Sequence, residues 1–292
     1  MMRIRDGFEL KQARYQIMKS AEILFNKKTE DRINTKVPYR RLVAQVADFA
    51  QKIVAHKNIV ISMVFTADTM DEYTIGHSLN VCMLSVLIAH ILGYKEERMA
   101  ELATSALLHD IGKREIPPEI LFKGGGLSDK EFEIMKTHPQ KGYDFMERVY
   151  PEASDDVKKG ILEHHERMDY KGYPKGIGWY DISDFARIIA IADVYEAVTS
   201  LRAYHDKNSI ADGVDCIRNT DGLDKNIVDL FTANTVFYPS GMYVVLSDKS
   251  VAVVSENSPG DIPVIAIPES ETPVEVGNRS IIDILPSGRR TI

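Results

Sequence analysis

Apolar residues recur every three or four positions from about residue 8 to residue 65, with charges between them; Leu42, Val46, Phe49 and Ile53 form the clearest set. That spacing predicts amphipathic helices, and Pro38 marks a break between two of them. From about 69 to 220 the helical period continues with stronger punctuation. Gly93, Gly112, Pro117-Pro118 and Gly124-Gly125-Gly126 close or separate helices, and Ser128-Asp129-Lys130-Glu131 has the form of a capping box. After about 235 the pattern changes: Val236 to Val254 clusters β-branched and aromatic residues around Pro239-Ser240-Gly241 and Ser247-Asp248-Lys249-Ser250, which predicts short strands joined by turns. Pro259, Pro263, Pro268, Pro273 and Pro286 in the tail suit edge strands and extended packing. The expected organisation is mainly α, with an N-terminal helical segment over 1–66, a helical domain over 67–222 and a small β-rich appendage over 223–292.

Within the helical pattern, titratable residues occupy positions that the periodicity assigns to the core. Met99, Leu102, Ala103 and Ala106 form a buried stripe that runs into His109, with Asp110 next in sequence. Val157 and Ile161 lead to His164 and His165. His77 heads a face continued by Val81, Leu84 and Ile88, and Asp193 follows Phe185 and Ile189. His138 precedes Pro139, where a helix is expected to kink. A lone histidine on a core stripe is most often a hydrogen-bonded core residue. Five histidines and two aspartates in one helical region would each need a separate partner, however, and a shared cation supplies one partner for all of them. His90, thirteen positions after His77, is turned roughly 220° around an ideal helix and should face away; His56 is read with it as structural or surface.

Composition changes the picture in three ways. With 44% hydrophobic and 27% charged residues in 292, the chain has material for one or two real cores, which excludes wholesale disorder. Its net charge of −7 argues against an electrostatic nucleic-acid binder, so attraction for an anion would have to be local. Two cysteines, Cys82 and Cys216, make neither a disulfide framework nor a paired-cysteine metal site and suit a reducing cytoplasm. The first residues lack the apolar core of a signal peptide, and the run from about Val81 to Leu92 is short for a bilayer span, so a soluble cytoplasmic protein without membrane insertion is expected. Gly124-Gly125-Gly126 lacks the Lys-Ser/Thr of a phosphate-binding loop and is read as a connector.

The order of these motifs resembles the HD-GYP family of bacterial cyclic-di-GMP phosphodiesterases, within the HD phosphohydrolases. The resemblance is carried by His77-Ser78-Leu79-Asn80-Val81, His109-Asp110-Ile111-Gly112-Lys113, Ile116-Pro117-Pro118-Glu119-Ile120-Leu121, His138, His164-His165-Glu166, Gly172-Tyr173-Pro174, Ile191-Ala192-Asp193 and Thr199-Ser200-Leu201-Arg202, over about residues 69–208. It implies an HD-type helical bundle in which His77, His109, Asp110 and Asp193 hold one metal, and Asp110 bridges to a second held by His138, His164 and His165. Tyr73 stands where members with a third metal carry glutamate, so two divalent ions are expected. Imidazole and carboxylate without thiolate suit iron or manganese.

The implied reaction is hydrolysis of cyclic-di-GMP to linear pGpG or on to GMP, through a hydroxide bridging two metals about 3.5–4 Å apart. Two cations, two aspartates and the hydroxide sum to about +1, a local attraction for phosphate in an acidic protein. Lys113 is expected to hold a phosphate oxygen or offset transition-state charge, so Asp110 and Lys113 are the catalytic candidates. Arg202 and Tyr173 join Lys113 as candidate substrate contacts, with Tyr173 also able to dock a partner such as a diguanylate cyclase domain. Asp169-Tyr170 replaces the family's Asp-Gly, and Ala203-Tyr204-His205 replaces Pro-Tyr-Arg. Two alternatives follow from these departures: a metal-containing sensor of cyclic dinucleotides or partners with little turnover, and a phosphohydrolase for another cyclic dinucleotide or nucleotide.

Overall fold

The structure is a computed structural model that describes residues 6–26, 37–66, 73–200, 209–256, 264–266, 274–275 and 281–285. Three helices come first: α1 (Asp6–Phe25), α2 (Tyr39–Ala55) and α3 (Lys57–Thr66). The stripe Leu42, Val46, Phe49, Ile53 of α2 is fully buried, as its spacing predicts, and Pro38 immediately precedes the helix as its N-cap.

The central helices are α4 (Tyr73–Ile91) and α5 (Glu96–Leu108), a 3-10 turn at Ile111–Glu115, α6 (Pro118–Leu121), α7 (Asp129–Met135), α8 (His138–Val149) and α9 (Asp155–Glu163). A second 3-10 turn at Trp179–Asp181 leads to α10 (Asp184–Thr199), then α11 (Ile210–Asn219) and α12 (Lys225–Asn234). Helix α4 is the hub, packed by α1, α2, α5, α10 and α12. It is therefore buried all round, with every residue from Leu79 to Ala89 inside. The apolar stretch is longer than the sequence reading allowed: Thr74–Ile91 has the length and composition to cross a membrane, yet 78% of it is buried within the fold. At its end Gly93 takes φ 77°, which lets Gly93 and Tyr94 donate back to the carbonyls of His90 and Ala89.

Several helix starts follow their sequence signals. Ser128 and Glu131 make the reciprocal capping box that opens α7. Ser154, Ser183 and Asp224 accept from the first-turn amides of α9, α10 and α12. One expectation is corrected: the chain does not kink within a helix at His138. Helix α7 stops at Met135 and α8 starts afresh, with Pro139 in its first turn, where a missing N–H breaks no intrahelical bond. Gly124-Gly125-Gly126 is an open connector between α6 and α7.

The C-terminal strands β1 (Tyr243–Leu246), β2 (Val251–Glu256), β3 (Val264–Ala266), β4 (Val274–Glu275) and β5 (Ile281–Leu285) form an antiparallel sheet in the order β4-β3-β2-β1-β5. The tail prolines from Pro259 to Pro286 lie outside the described residues. A single apolar core runs from Leu10 in α1 through the central helices to Ile281 in β5.

Gly112 fixes how the turn after α5 meets α8. A Cβ there would sit 2.0 Å from the His138 carbonyl oxygen and 2.5 Å from the Gly142 amide nitrogen. Gly112→Ala is therefore expected to cost about 2–3 kcal/mol through forced separation of these backbones, seen as a lowered Tm in thermal denaturation. An unchanged Tm would show that the two segments can part freely.

Candidate metal centre

Three of the histidines use one local device. His109 follows α5 and His164 follows α9; their Nδ1–H groups donate to the carbonyls three residues back, of Ala106 at 2.8 Å and Ile161 at 2.7 Å. His138 does the same to Met135, at 2.8 Å. Each bond satisfies a carbonyl left over at a helix end and assigns the ring proton to Nδ1, so the Nε2 lone pair points inward. His77 is oriented by another route, donating Nδ1–H to Glu196 Oε2 at 2.6 Å so that Nε2 faces inward.

The inward atoms converge on Asp110, which is 1% exposed and supplied from the turn after α5. Its Oδ2 lies 3.5 Å from His77 Nε2 and 3.4 Å from His109 Nε2, whereas Oδ1 lies 3.3 Å from His138 Nε2. Asp193 Oδ1 is 3.2 Å from His77 Nε2, and its Oδ2 is 4.0 Å from His165 Nδ1. The ligand-type atoms of His77, His109 and Asp193 fall within 4.8 Å of one another, as do those of His138, His164 and His165, and those of His109, Asp110 and His164. All seven residues singled out in the sequence thus meet in one place, in two groups with Asp110 between them.

These residues fit metal ions on electrostatic grounds. His138 Nε2 and His164 Nε2 stand 3.3 Å apart while both Nδ1–H groups are committed elsewhere, so two lone pairs face each other. His109 Nε2 and Asp110 Oδ1 are buried and have no hydrogen-bond partner among the described residues. Converging lone pairs of this kind are stable around a cation and costly without one.

Burial first, then the neighbouring imidazoles, push His164 and His165 well below the usual histidine range, so both rings stay neutral. Burial also lowers His109. At Asp110 burial works upward, but the Lys113 ammonium and surrounding imidazoles hold the carboxyl well below its usual range. At His77 burial works downward and the Glu196 and Asp193 carboxylates prevail, raising it well above the ordinary value.

Lys113 Nζ is 2.6 Å from Asp110 Oδ2 and partly exposed at the rim. The Tyr173 ring packs on that of His165, with centroids 4.7 Å apart and 32° between planes, and so buttresses the second group. Gly172 is required there, because a Cβ would lie 2.4 Å from the Arg167 amide and 2.5 Å from the His165 carbonyl oxygen. Tyr170 adopts the left-handed angle expected of the glycine it replaces, φ 66°, and its ring lies over Gly178, where a Cβ would come within 2.8 Å of it. Arg202 and His205 lie outside the described residues. His90 faces away, with Nε2 3.2 Å from Lys57 Nζ, and His56 is half-buried.

Two carboxylates have roles that the sequence does not assign, although Glu166 belongs to the His164-His165-Glu166 motif. Glu196, 1% exposed, orients His77; its signal was the three-residue spacing from Asp193 on α10. Glu166 follows the paired histidines and accepts the Lys175 amide at 2.7 Å, tying down the loop that carries Tyr173.

The family pattern described as HD domain matches residues 61–227. A Pseudomonas aeruginosa protein named cyclic di-GMP phosphodiesterase PA4108 is 35% identical over 212 residues, covering 72% of this chain and 51% of that protein. A Vibrio cholerae protein named 3'3'-cGAMP-specific phosphodiesterase 1 is 32% identical over 195 residues, 65% of this chain and 45% of that one. The chain spans about half the length of these curated relatives. The solved structure of Bd1817, described as an HDG"Y"P protein from Bdellovibrio bacteriovorus, is similar in fold, with a TM-score of 0.62 at 18% identity over 75% of this chain and 69% of that one.

The buried imidazoles set the pH response of chelator-treated protein. Unfolded histidines titrate near 6.5, so as pH falls below that value the unfolded chain binds protons that His164 and His165 refuse when folded. Stability then drops by up to about 1.4 kcal/mol per pH unit for each ring. His77 has the opposite sign: its contribution is complete below about 6.5 and is lost as pH rises through its elevated folded pKa. Thermal scans in EDTA should therefore give the highest Tm near neutral pH and a fall toward pH 5, while a Tm that rises from pH 7 to pH 5 would contradict these protonation states.

Proposed function

The chain belongs to the HD domain family, and from that premise we propose that it is a metal-dependent phosphodiesterase that hydrolyses cyclic-di-GMP to linear pGpG. The observation that carries this reading is the Asp110 carboxylate, which offers one oxygen to His77 and His109 and the other to His138. His77, His109, Asp110 and Asp193 would hold one divalent ion, and His138, His164 and His165, with Asp110, the other. When bound, such a pair supplies activated water and charge neutralisation for in-line displacement at phosphorus. A donor set of imidazole and carboxylate suits iron or manganese.

The protein's own groups supply position and charge. Lys113, now paired with Asp110 at the rim, is placed to hold a phosphate oxygen as negative charge grows on it. The backbone carbonyls and Glu196 keep the imidazoles aimed inward while substrate binds, and Tyr173 holds the His165 ring from the side. Arg202 is read as a phosphate or guanine contact from its sequence position. Relatives named for 3'3'-cGAMP support a second reading in which that dinucleotide is the substrate. The aromatic side chains of Tyr170, Trp179 and Tyr180 lie exposed on the loop around Gly172-Tyr173-Pro174 and support its use as a docking surface for a diguanylate cyclase domain. The unpaired cysteines support a cytoplasmic setting.

Protein loaded anaerobically with Fe(II) or Mn(II) should convert cyclic-di-GMP to pGpG, followed by chromatography of the products. Asp110→Asn is expected to cut turnover about 100-fold or more together with bound metal. Lys113→Ala should lower kcat about 10- to 100-fold with metal content retained. Faster turnover of 3'3'-cGAMP in direct competition would select the second substrate. Tight binding of the dinucleotide with no product under either metal would replace the enzyme by a sensor.

A further inference from the structure

Glu196 ends a line of polar side chains that runs through buried Asn80 to half-buried Arg14, outside the family-matched segment. Its Oε2 accepts from His77 Nδ1 at 2.6 Å; its Oε1 accepts from Asn80 Nδ2 at 3.0 Å and from Ser200 Oγ at 2.5 Å. Asn80 is completely buried, and its Oδ1 accepts from Arg14 Nη2 of α1 at 3.1 Å. The order of donors matters. The Glu196 carboxylate only accepts, so it selects the NH2 end of Asn80, and the Arg14 donor on the carbonyl end anchors the amide from its other side. With that donor gone the amide keeps one anchor only, and its N–H can swing away from the Glu196 carboxylate.

Helix α1 also grips the other ligand-bearing segment. Arg114, four residues after Asp110, donates from Nη1 to the Leu24 carbonyl at 2.8 Å, and its guanidinium lies 5.0 Å from the Phe145 ring centre. One helix outside residues 61–227 is thus bonded to the helix that carries His77 and to the turn that carries Asp110.

We propose that Arg14 is a positioning residue for the metal centre: acting through Asn80 and Glu196, it holds the His77 imidazole in its metal-binding orientation and makes α1 a structural part of the site. The proposal rests on the two-metal reading above and concerns only the ion held by His77. Partners that orient a ligating histidine in this way typically govern metal affinity rather than the contact with substrate.

The test is Mn(II) binding to the full chain by calorimetry, alongside Tm and steady-state kinetics. Two equivalents bound by the wild-type protein are the control; none bound would defeat the two-metal reading itself, whatever Arg14 does. Arg14→Met is expected to weaken one equivalent about fivefold to tenfold and leave the other unchanged, with kcat restored at saturating Mn(II) and KM unmoved. In a Glu196→Gln background the same substitution should change affinity less than twofold, because the line is already cut. Arg14→Lys, which keeps a donor, should bind nearly as wild type. Equal weakening in both backgrounds, or loss of both equivalents in step with Tm, would overturn the proposal. Should Arg14→Met fail to fold, Asn80→Asp decides: it keeps an acceptor for Arg14 but removes the donor to Glu196, so it must weaken the same equivalent, and wild-type affinity in that variant would overturn the proposal equally.

Discussion

The site is governed by where the imidazole protons are. Committing Nδ1–H of His109, His138 and His164 to backbone carbonyls leaves three Nε2 lone pairs inside a small buried volume around a carboxylate, and Glu196 holds Nδ1–H of His77 so that its Nε2 faces the same volume. The residues that line this volume are almost wholly buried. Such an arrangement is electrostatically unfavourable by itself and favourable around positive charge. The fold tolerates it because the surrounding core is extensive: α4, α5, α9 and α10 pack against one another through buried aliphatic residues, and those contacts hold the ligands' backbones in place.

That division of labour explains why two ligands sit at helix ends. A helix C-terminus offers unsatisfied carbonyls and a partial negative charge. An imidazole placed there satisfies a carbonyl with one nitrogen and presents the other, so a single residue caps and coordinates. Helices α5 and α9 both end this way, and the chain then turns sharply enough to bring Asp110 and His165 beside their neighbours. Gly112 and Gly172 serve the same geometry, since each lets two backbones approach closer than any side chain permits.

Much of this was legible in the sequence. The buried stripes of α2 and α5, the capping box at Ser128 and the change to strands after residue 235 follow from periodicity and turn chemistry. His77, His109, His164 and Asp193 were visible because each enters an apolar stripe at a core position, Asp110 and His165 because each adjoins such a histidine, and His138 because it stands before Pro139. What periodicity could not supply was the pairing between helices. Glu196 looks like any helix carboxylate until α10 lies against α4, and Asn80 looks like a polar interruption until Arg14 reaches it from a helix 66 residues away. At Pro139 the helix restarts instead of kinking, a difference that a local signal for interruption does not carry. The full length of the apolar segment in α4 is hard to read because burial on all sides erases the amphipathic pattern that periodicity relies on.

The central claim, that inward lone pairs are arranged for two cations, is tested most directly by metal content. Anaerobically purified protein analysed by inductively coupled plasma mass spectrometry should carry two divalent ions per chain, and His138→Ala should carry one. A wild-type chain without stoichiometric metal, or a His138→Ala chain that retains both ions, would contradict the account.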